Sequence, residues 1–282
     1  MPTAKSLPKL QRTDLLKASF ATLLGYGPAR GGKTRSVEEC YRQGLSPVII
    51  ATELGETHGL MSLSSSPIPF IKVSSHNETM EVIAELGKKP GKIEYEQTEF
   101  GMVVLDSLTQ WGEWPLERFV ELKGWGDLST PAASKDPRSA YGYLAEKGRS
   151  LYTRLFQLHG HIYIIAREGL FGGEGGVPQF AAPELPGQKL PREVPGWPDA
   201  TFRLRVVNGK YRMIVQGEGN SPAGVRLPSG FRALPTRCTN NIPALIRYMS
   251  GDQTAYTLLD PKTAEGERSG QDAATAPVLT PA

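Results

Sequence analysis

The stretch "LLGYGPARGGKTRSVEECY", residues 23–41, begins as an apolar run, breaks into glycines and resumes with charged and apolar residues at helical spacing. Gly27, Pro28, Ala29, Arg30, Gly31, Gly32, Lys33 and Thr34 fit the pattern G-x-x-x-x-G-K-[ST] between a strand and a helix, the context that a phosphate-binding P-loop requires. Glycines at 27, 31 and 32 would let the backbone curl until successive N–H groups face one point. The positive end of the following helix dipole adds to that field. Lys33 would neutralise the β- and γ-phosphates of ATP, the Thr34 hydroxyl would ligate Mg²⁺, and Arg35 closes the nucleotide-binding stretch.

Outward from this joint, short aliphatic runs alternate with helical patterns. "FATLLGYG", "SPVIIATE", "PFIKVSS", "FGMVVLDSL" and "HIYIIAR" read as strands buried on both faces. Helices are predicted over 34–45, 77–88, 115–122 and 138–158, the second entered through Ser75 with Glu78 at capping-box spacing. Strand and helix in alternation imply an α/β fold with a mostly parallel sheet flanked by helices. "ATFRLRVV" and "KYRMIVQG" are two period-2 segments joined by Asn208-Gly209, so the sheet is expected to end in an antiparallel hairpin. Residues 1–18 read as an N-terminal extension, 19–250 as the core, and 251–282, polar and rich in Ala, Thr, Pro and Gly, as a disordered tail.

Mg²⁺ between two phosphates must also be held from its far side, by an acid expected on a strand beside the P-loop strand. Four apolar residues run into Asp106, where ligands of open α/β sheets bind; it would hold Mg²⁺, or cap the next helix. The residue that follows is Ser107, so a catalytic base must come from elsewhere. Glu53, ending "PVIIATE" on a strand expected next to the P-loop strand, could orient and deprotonate the attacking water, with Glu56 as the competing choice.

Composition limits the alternatives. A chain of 282 residues, 39% hydrophobic, can bury a sizeable core. Its 32 Lys and Arg against 29 Asp and Glu leave a net charge of +3, so any surface for nucleic acid must concentrate its charge locally. Cys40 and Cys238 fit neither a zinc site nor a disulfide framework, which favours a reducing compartment. No apolar run approaches the ~18 residues of a membrane span, and the first residues lack the apolar core of a signal peptide. These features predict a cytoplasmic protein.

"GPARGGKT", "VIIATE", "VVLDSLTQW" and "IYIIAR", in that order, resemble the RecA-type recombinase core, and more narrowly the phage nucleotide-binding proteins that include single-strand annealing recombinases of the Sak-four type. The likeness covers roughly residues 19–250. It implies a RecA-like ATPase core with ATP and Mg²⁺, DNA-stimulated ATP hydrolysis, single-stranded DNA as partner, and annealing or strand exchange by a ring or filament of identical subunits. A single-strand binding protein is a further candidate partner, and the compartment would be the bacterial host's cytoplasm. By the same resemblance Arg167, where the RecA pattern has Gln, would sense the γ-phosphate or else pair with Glu53 or Asp106. Arg226 would reach the nucleotide of a neighbouring subunit, although Gly224 stands where the related pattern has Lys.

Residues 168–198 are rich in glycine and proline and too long for a mere connector. They sit where a RecA-like core holds its second DNA loop. Phe171, Phe180 and Trp197 could stack on bases while Lys189 and Arg192 meet phosphates, although Trp197 is equally suited to anchoring the loop. Residues 123–138 rank lower as a first DNA loop. The alternatives are another P-loop phage motor, such as a helicase or packaging ATPase, and a nucleotide-dependent scaffold with little hydrolysis.

Overall fold

The computed structural model describes residues 20–52, 66–126, 128, 136–172 and 179–262. Twelve strands are found among them: β1 (Thr22–Gly27), β2 (Pro47–Ala51), β3 (Phe70–Lys72), β4 (Ile93–Tyr95), β5 (Thr98–Phe100), β6 (Met102–Asp106), β7 (His161–Phe171), β8 (Phe180–Pro183), β9 (Ala200–Val207), β10 (Lys210–Ile214), β11 (Gly224–Val225) and β12 (Arg237–Thr239). The helices are α1 (Lys33–Arg42), α2 (His76–Leu86), α3 (Leu108–Lys123), α4 (Pro137–Phe156), α5 (Leu190–Glu193), α6 (Ile242–Met249) and α7 (Tyr256–Leu259).

The main sheet runs β12-β10-β9-β1-β7-β6-β2-β3, with β11 added to β9 and β8 to β7. From β9 to β3 every neighbouring pair is parallel, whereas β10 pairs antiparallel with both β9 and β12. The mostly parallel sheet with a terminal antiparallel hairpin is therefore the one expected from the sequence.

Strict alternation makes the sheet the middle layer. Leu24, Tyr26, Val103, Leu105, Ile162 and Ile164 face one side, where they meet Ile83 of α2, Trp111 of α3 and Leu144 and Leu151 of α4. Their neighbours Leu23, Met102, Val104, Tyr163 and Ile165 face the other, against Val37 and Cys40 of α1 and Leu245 and Tyr248 of α6. Both cysteines are buried as free thiols.

Three expectations change. Neither acid-bearing strand is a neighbour of β1: β7 lies between β1 and β6, and β2 lies beyond β6. The third helix starts at Leu108, with Ser107 as its cap and Pro115 in its interior, so Asp106 does not cap it. The tail expected from residue 251 is ordered in its first part. A 3-10 turn, Gln253–Ala255, leads into α7, and Ala255 and Leu259 are fully buried in the core. Residues 1–19 and 263–282 lie outside the described residues.

Candidate nucleotide site

Gly27 ends β1 and α1 begins six residues later, so the intervening loop rides on the carboxyl edge of the sheet. Space and dihedral angle divide the work of its residues. Gly32 has φ 93° and Arg30 φ 60°, and these two make the left-handed turns. Gly27 is required by proximity instead, because a Cβ there would stand 2.3 Å from the Leu204 carbonyl oxygen of β9. At Gly31 the same oxygen would be 3.0 Å away. The glycines thus let this cradle of backbone lie directly against β9 and β10, where a side chain would collide. Pro28, Ala29 and Arg30 are exposed, and Lys33 and Thr34 are half-buried at its end.

The Lys33 ammonium donates to the carbonyls of Gly27 (3.1 Å) and Pro28 (2.8 Å), which curls it back over the loop. Gly32 caps α1 without a side-chain hydrogen bond, and the first turn carries no acid. First-turn amides, Lys33 and a glycine cradle are a donor set matched to a phosphate chain. Below them, Ser36 Oγ donates to the Lys33 carbonyl (2.5 Å) and so receives the Tyr163 hydroxyl (2.9 Å). Gly25 leaves room for that tyrosine, since a Cβ there would stand 2.7 Å from its oxygen.

Asp106 is buried (6% exposed) at the carboxyl end of β6. Thr52 fixes the backbone around it: its N–H donates to the Asp106 carbonyl (2.8 Å), and its hydroxyl accepts from the Ser107 N–H (2.7 Å) and donates to the Ser107 carbonyl (2.8 Å). No three His, Cys, Asp or Glu side chains gather around one point among the described residues. Mg²⁺ held by Thr34 and Asp106 would therefore take phosphate oxygens and water for the rest of its shell. Glu53 and Glu56 lie outside the described residues.

Arg167 stands opposite Gly27 in the register of β7 and β1, at the edge expected for a phosphate-sensing residue. Its N–H donates to Thr109 Oγ1 (2.9 Å), and its guanidinium pairs with Glu184 (3.2 Å), an acid not among the partners expected for it. Among its described residues, more than half of the supposed loop 168–198 is regular structure. β7 continues through Glu168 to Phe171 and turns back as β8, with Phe171 paired to Phe180. Residues 173–178 lie outside the described residues, as do 127 and 129–135 of the other candidate DNA loop.

Within the hairpin, the Phe171 and Phe180 rings lie 5.7 Å apart, and the Arg192 guanidinium sits 5.0 Å from the Phe180 centroid. Lys189 is exposed and pairs with Glu193 (3.4 Å). Trp197 is an anchor, its ring edge-on to Tyr152 at 4.8 Å. Arg226 donates to the Gly196 carbonyl (2.9 Å) and stands 3.8 Å from Asp199. Asp199 in turn accepts from Thr22, the first residue of β1. Arg226 is thus at the far end of a strand about 16 Å long from the P-loop, and its own nucleotide site is out of reach.

Thr52, Thr109, Tyr163 and the Glu168 network are absent from the sequence-based expectation. A lone hydroxyl inside or just after an aliphatic strand, as in "VIIAT" and "HIYII", was the signal available. Glu168 carried none, because its partners lie 35 and 37 positions away on β9. Arg203 binds it through two nitrogens (2.6 and 2.7 Å) and Arg205 through one (3.1 Å).

Burial alone would push the Glu168 carboxyl up, but hydrogen bonds and charge from Arg203, then Arg205, hold it below the usual glutamate range. A group depressed in the folded state adds stability above its unfolded pKa, about 4.3, and loses it as pH falls through the folded value. Below about pH 4.3, Tm should therefore fall more steeply for the wild type than for Glu168→Gln. Parallel acid limbs would show that the carboxylate adds no pH-linked stability.

A family model described as an AAA domain matches residues 19–227. No curated protein matches the chain. Among solved structures, the RadB recombinase is similar with a TM-score of 0.37 and 16% identity, over 73% of this chain and 84% of that one. The P4 protein of bacteriophage phi6, in complex with ADP, is similar with a TM-score of 0.31 and 14% identity, over 75% of this chain and 62% of that one. Among the described residues no helix is long and apolar enough to cross a membrane.

Proposed function

The chain belongs to the AAA domain family of P-loop NTPases, and from that premise we propose that it couples ATP hydrolysis at the β1–α1 loop to single-stranded DNA held on the β7–β8 hairpin, as an annealing or strand-exchange recombinase of the phage type. Lys33 and the loop amides bind the β- and γ-phosphates, Thr34 and Asp106 hold Mg²⁺, and Glu53 activates water. Bound Mg²⁺ neutralises charge on the phosphates.

One observation carries the DNA half. β7 is a single strand whose register passes Gly27 at Arg167 and ends at Phe171, beside Phe180 and Arg192. One element thus touches the phosphate loop and a cluster of two aromatics and a cation, and coupling requires an element that feels both ligands. Aromatic faces with nearby cations bind single strands with little regard to sequence. Arg226, remote from its own loop, acts on the nucleotide of a neighbouring subunit in a ring or filament.

Charge and stacking should separate on mutation. Replacing Lys189 and Arg192 with Ala should weaken DNA binding and lower its salt slope, whereas Phe171→Ala or Phe180→Ala should cost about 1–3 kcal/mol with little change in slope. Arg167→Ala should leave nucleotide binding measurable while removing the effect of an ATP analogue on DNA affinity. Fluorescence anisotropy over a salt series measures all three. Unchanged DNA affinity in every variant would move the site off the hairpin.

A further inference from the structure

β1 stops at Gly27, whereas its neighbours in the sheet run on, β7 to Phe171 and β9 to Val207. One ionic cluster joins these two extensions across the end of β1. Arg203 donates to both oxygens of Glu168 (2.6 and 2.7 Å), and Arg205 donates to one of them (3.1 Å). The side chains of Glu168 and Arg203 are only 7% and 10% exposed, while Arg205 is half in solvent. The phosphate chemistry uses none of the three.

Each end of the cluster belongs to a different site. Leu204, between the two arginines, is the residue whose carbonyl would collide with a Cβ at Gly27 or Gly31. Tyr211, on the paired strand β10, lies as closely against Gly32, where a Cβ would stand 2.5 Å from its ring. The β9–β10 hairpin is thus a wall of the phosphate loop. Glu168 in turn stands at the base of the β7–β8 hairpin, opposite Pro183, with Phe171 and Phe180 at the other end of that pairing. Stability alone does not account for the cluster, because apolar side chains of matching volume usually fill such a place at no loss. What they do not reproduce is direction. A guanidinium fork on both carboxylate oxygens fixes distance and angle together, so a shift of the backbone at Leu204 is passed on to Glu168.

We propose that Glu168, Arg203 and Arg205 are positioning residues that carry the occupancy of the phosphate loop to the β7–β8 hairpin. Phosphate binding settles the loop against Leu204, the arginines on either side move with that backbone, and Glu168 resets the base of the hairpin. Arg167 and Glu168 are consecutive, so the loop reaches the hairpin along β7 and along β9 at one point. The proposal rests on the reading of the β1–α1 loop as a nucleotide site, and it holds whatever the hairpin binds.

Hydrogen exchange of the full chain, with and without the non-hydrolysable analogue AMP-PNP and Mg²⁺, reads the hairpin directly. In the wild type the analogue should slow exchange of the β7 amides beyond Arg167 and of the β8 amides by about tenfold, within the usual range of coupling between sites. The double variant Glu168→Leu/Arg203→Met replaces the buried pair by hydrocarbon and leaves neither partner charged alone. It should keep Tm and analogue affinity near the wild type and lose the response, which a merely structural pair would not do. Arg205→Ala, at the exposed end of the cluster, should fold regardless and lose most of it. An unchanged hairpin in the wild type at saturating analogue would overturn the clamp, as would a full response in either variant. If the variants lose the response but no chain binds single-stranded DNA, the clamp stands and the hairpin has another ligand. A wild-type chain that does not bind the analogue would overturn the nucleotide site, and the clamp with it.

Discussion

Lys33→Ala is expected to reduce ATP turnover at least about a hundredfold, because preorganised charge at the transferring phosphoryl group supplies most of the catalysis in this chemistry. The fold should survive the change. Lys33 is half-buried at the end of a surface loop, and its ammonium donates to the carbonyls of Gly27 and Pro28 within that loop. The glycine cradle depends on the Leu204 carbonyl and on the dihedral angles of Arg30 and Gly32, none of which the substitution touches. Far-UV circular dichroism and Tm should therefore stay close to the wild type while phosphate release stops. A folded Lys33→Ala chain that still hydrolyses ATP at a near-normal rate would remove the loop from the catalytic site.

The phosphate loop was legible because all its parts are contiguous: a strand, a glycine run and a helix within 21 residues, Thr22 to Arg42. The central strands were legible for a similar reason, being aliphatic runs closed by turn signals. What failed depended on distant pairing. "EGLF" reads as loop because Glu168 and Gly169 interrupt the apolar run, yet Arg203 neutralises the glutamate from the far side of β1 and the strand continues. Gly169 has a local reason to be there, since a Cβ would stand 2.9 Å from the Phe171 ring. The third helix was expected to start at Pro115, which lies in its interior. The Ser107 hydroxyl, eight residues earlier, is the cap that decides it. Tyr211 gave no signal, for nothing in its own neighbourhood says that a strand order of β10-β9-β1 brings it onto Gly32.

The same strand order bears on the catalytic base. With β7 between β1 and β6, and β2 beyond β6, an acid at the end of β2 would have to act across two intervening strands if it served the loop directly. It need not do so, because a nucleotide and metal bound at this edge would stand above the carboxyl ends of the strands, where Asp106 ends β6. Thr52 holds the end of β2 to the Asp106 and Ser107 backbone through three hydrogen bonds and is fully buried. Glu53 is bonded directly to that anchored residue, whereas Glu56 is three positions further along. Glu53→Gln should accordingly keep nucleotide affinity and lose turnover by about a hundredfold or more, since an amide can still orient water but is a very poor base. Asp106→Asn should act differently, weakening nucleotide binding in the presence of Mg²⁺ and much less in its absence. Single-turnover hydrolysis and nucleotide affinity, measured with and without Mg²⁺ for Glu53→Gln, Glu56→Gln and Asp106→Asn, separate the roles. If Glu56→Gln abolishes turnover while Glu53→Gln does not, the base is Glu56, and the Thr52 anchor serves only to place Asp106.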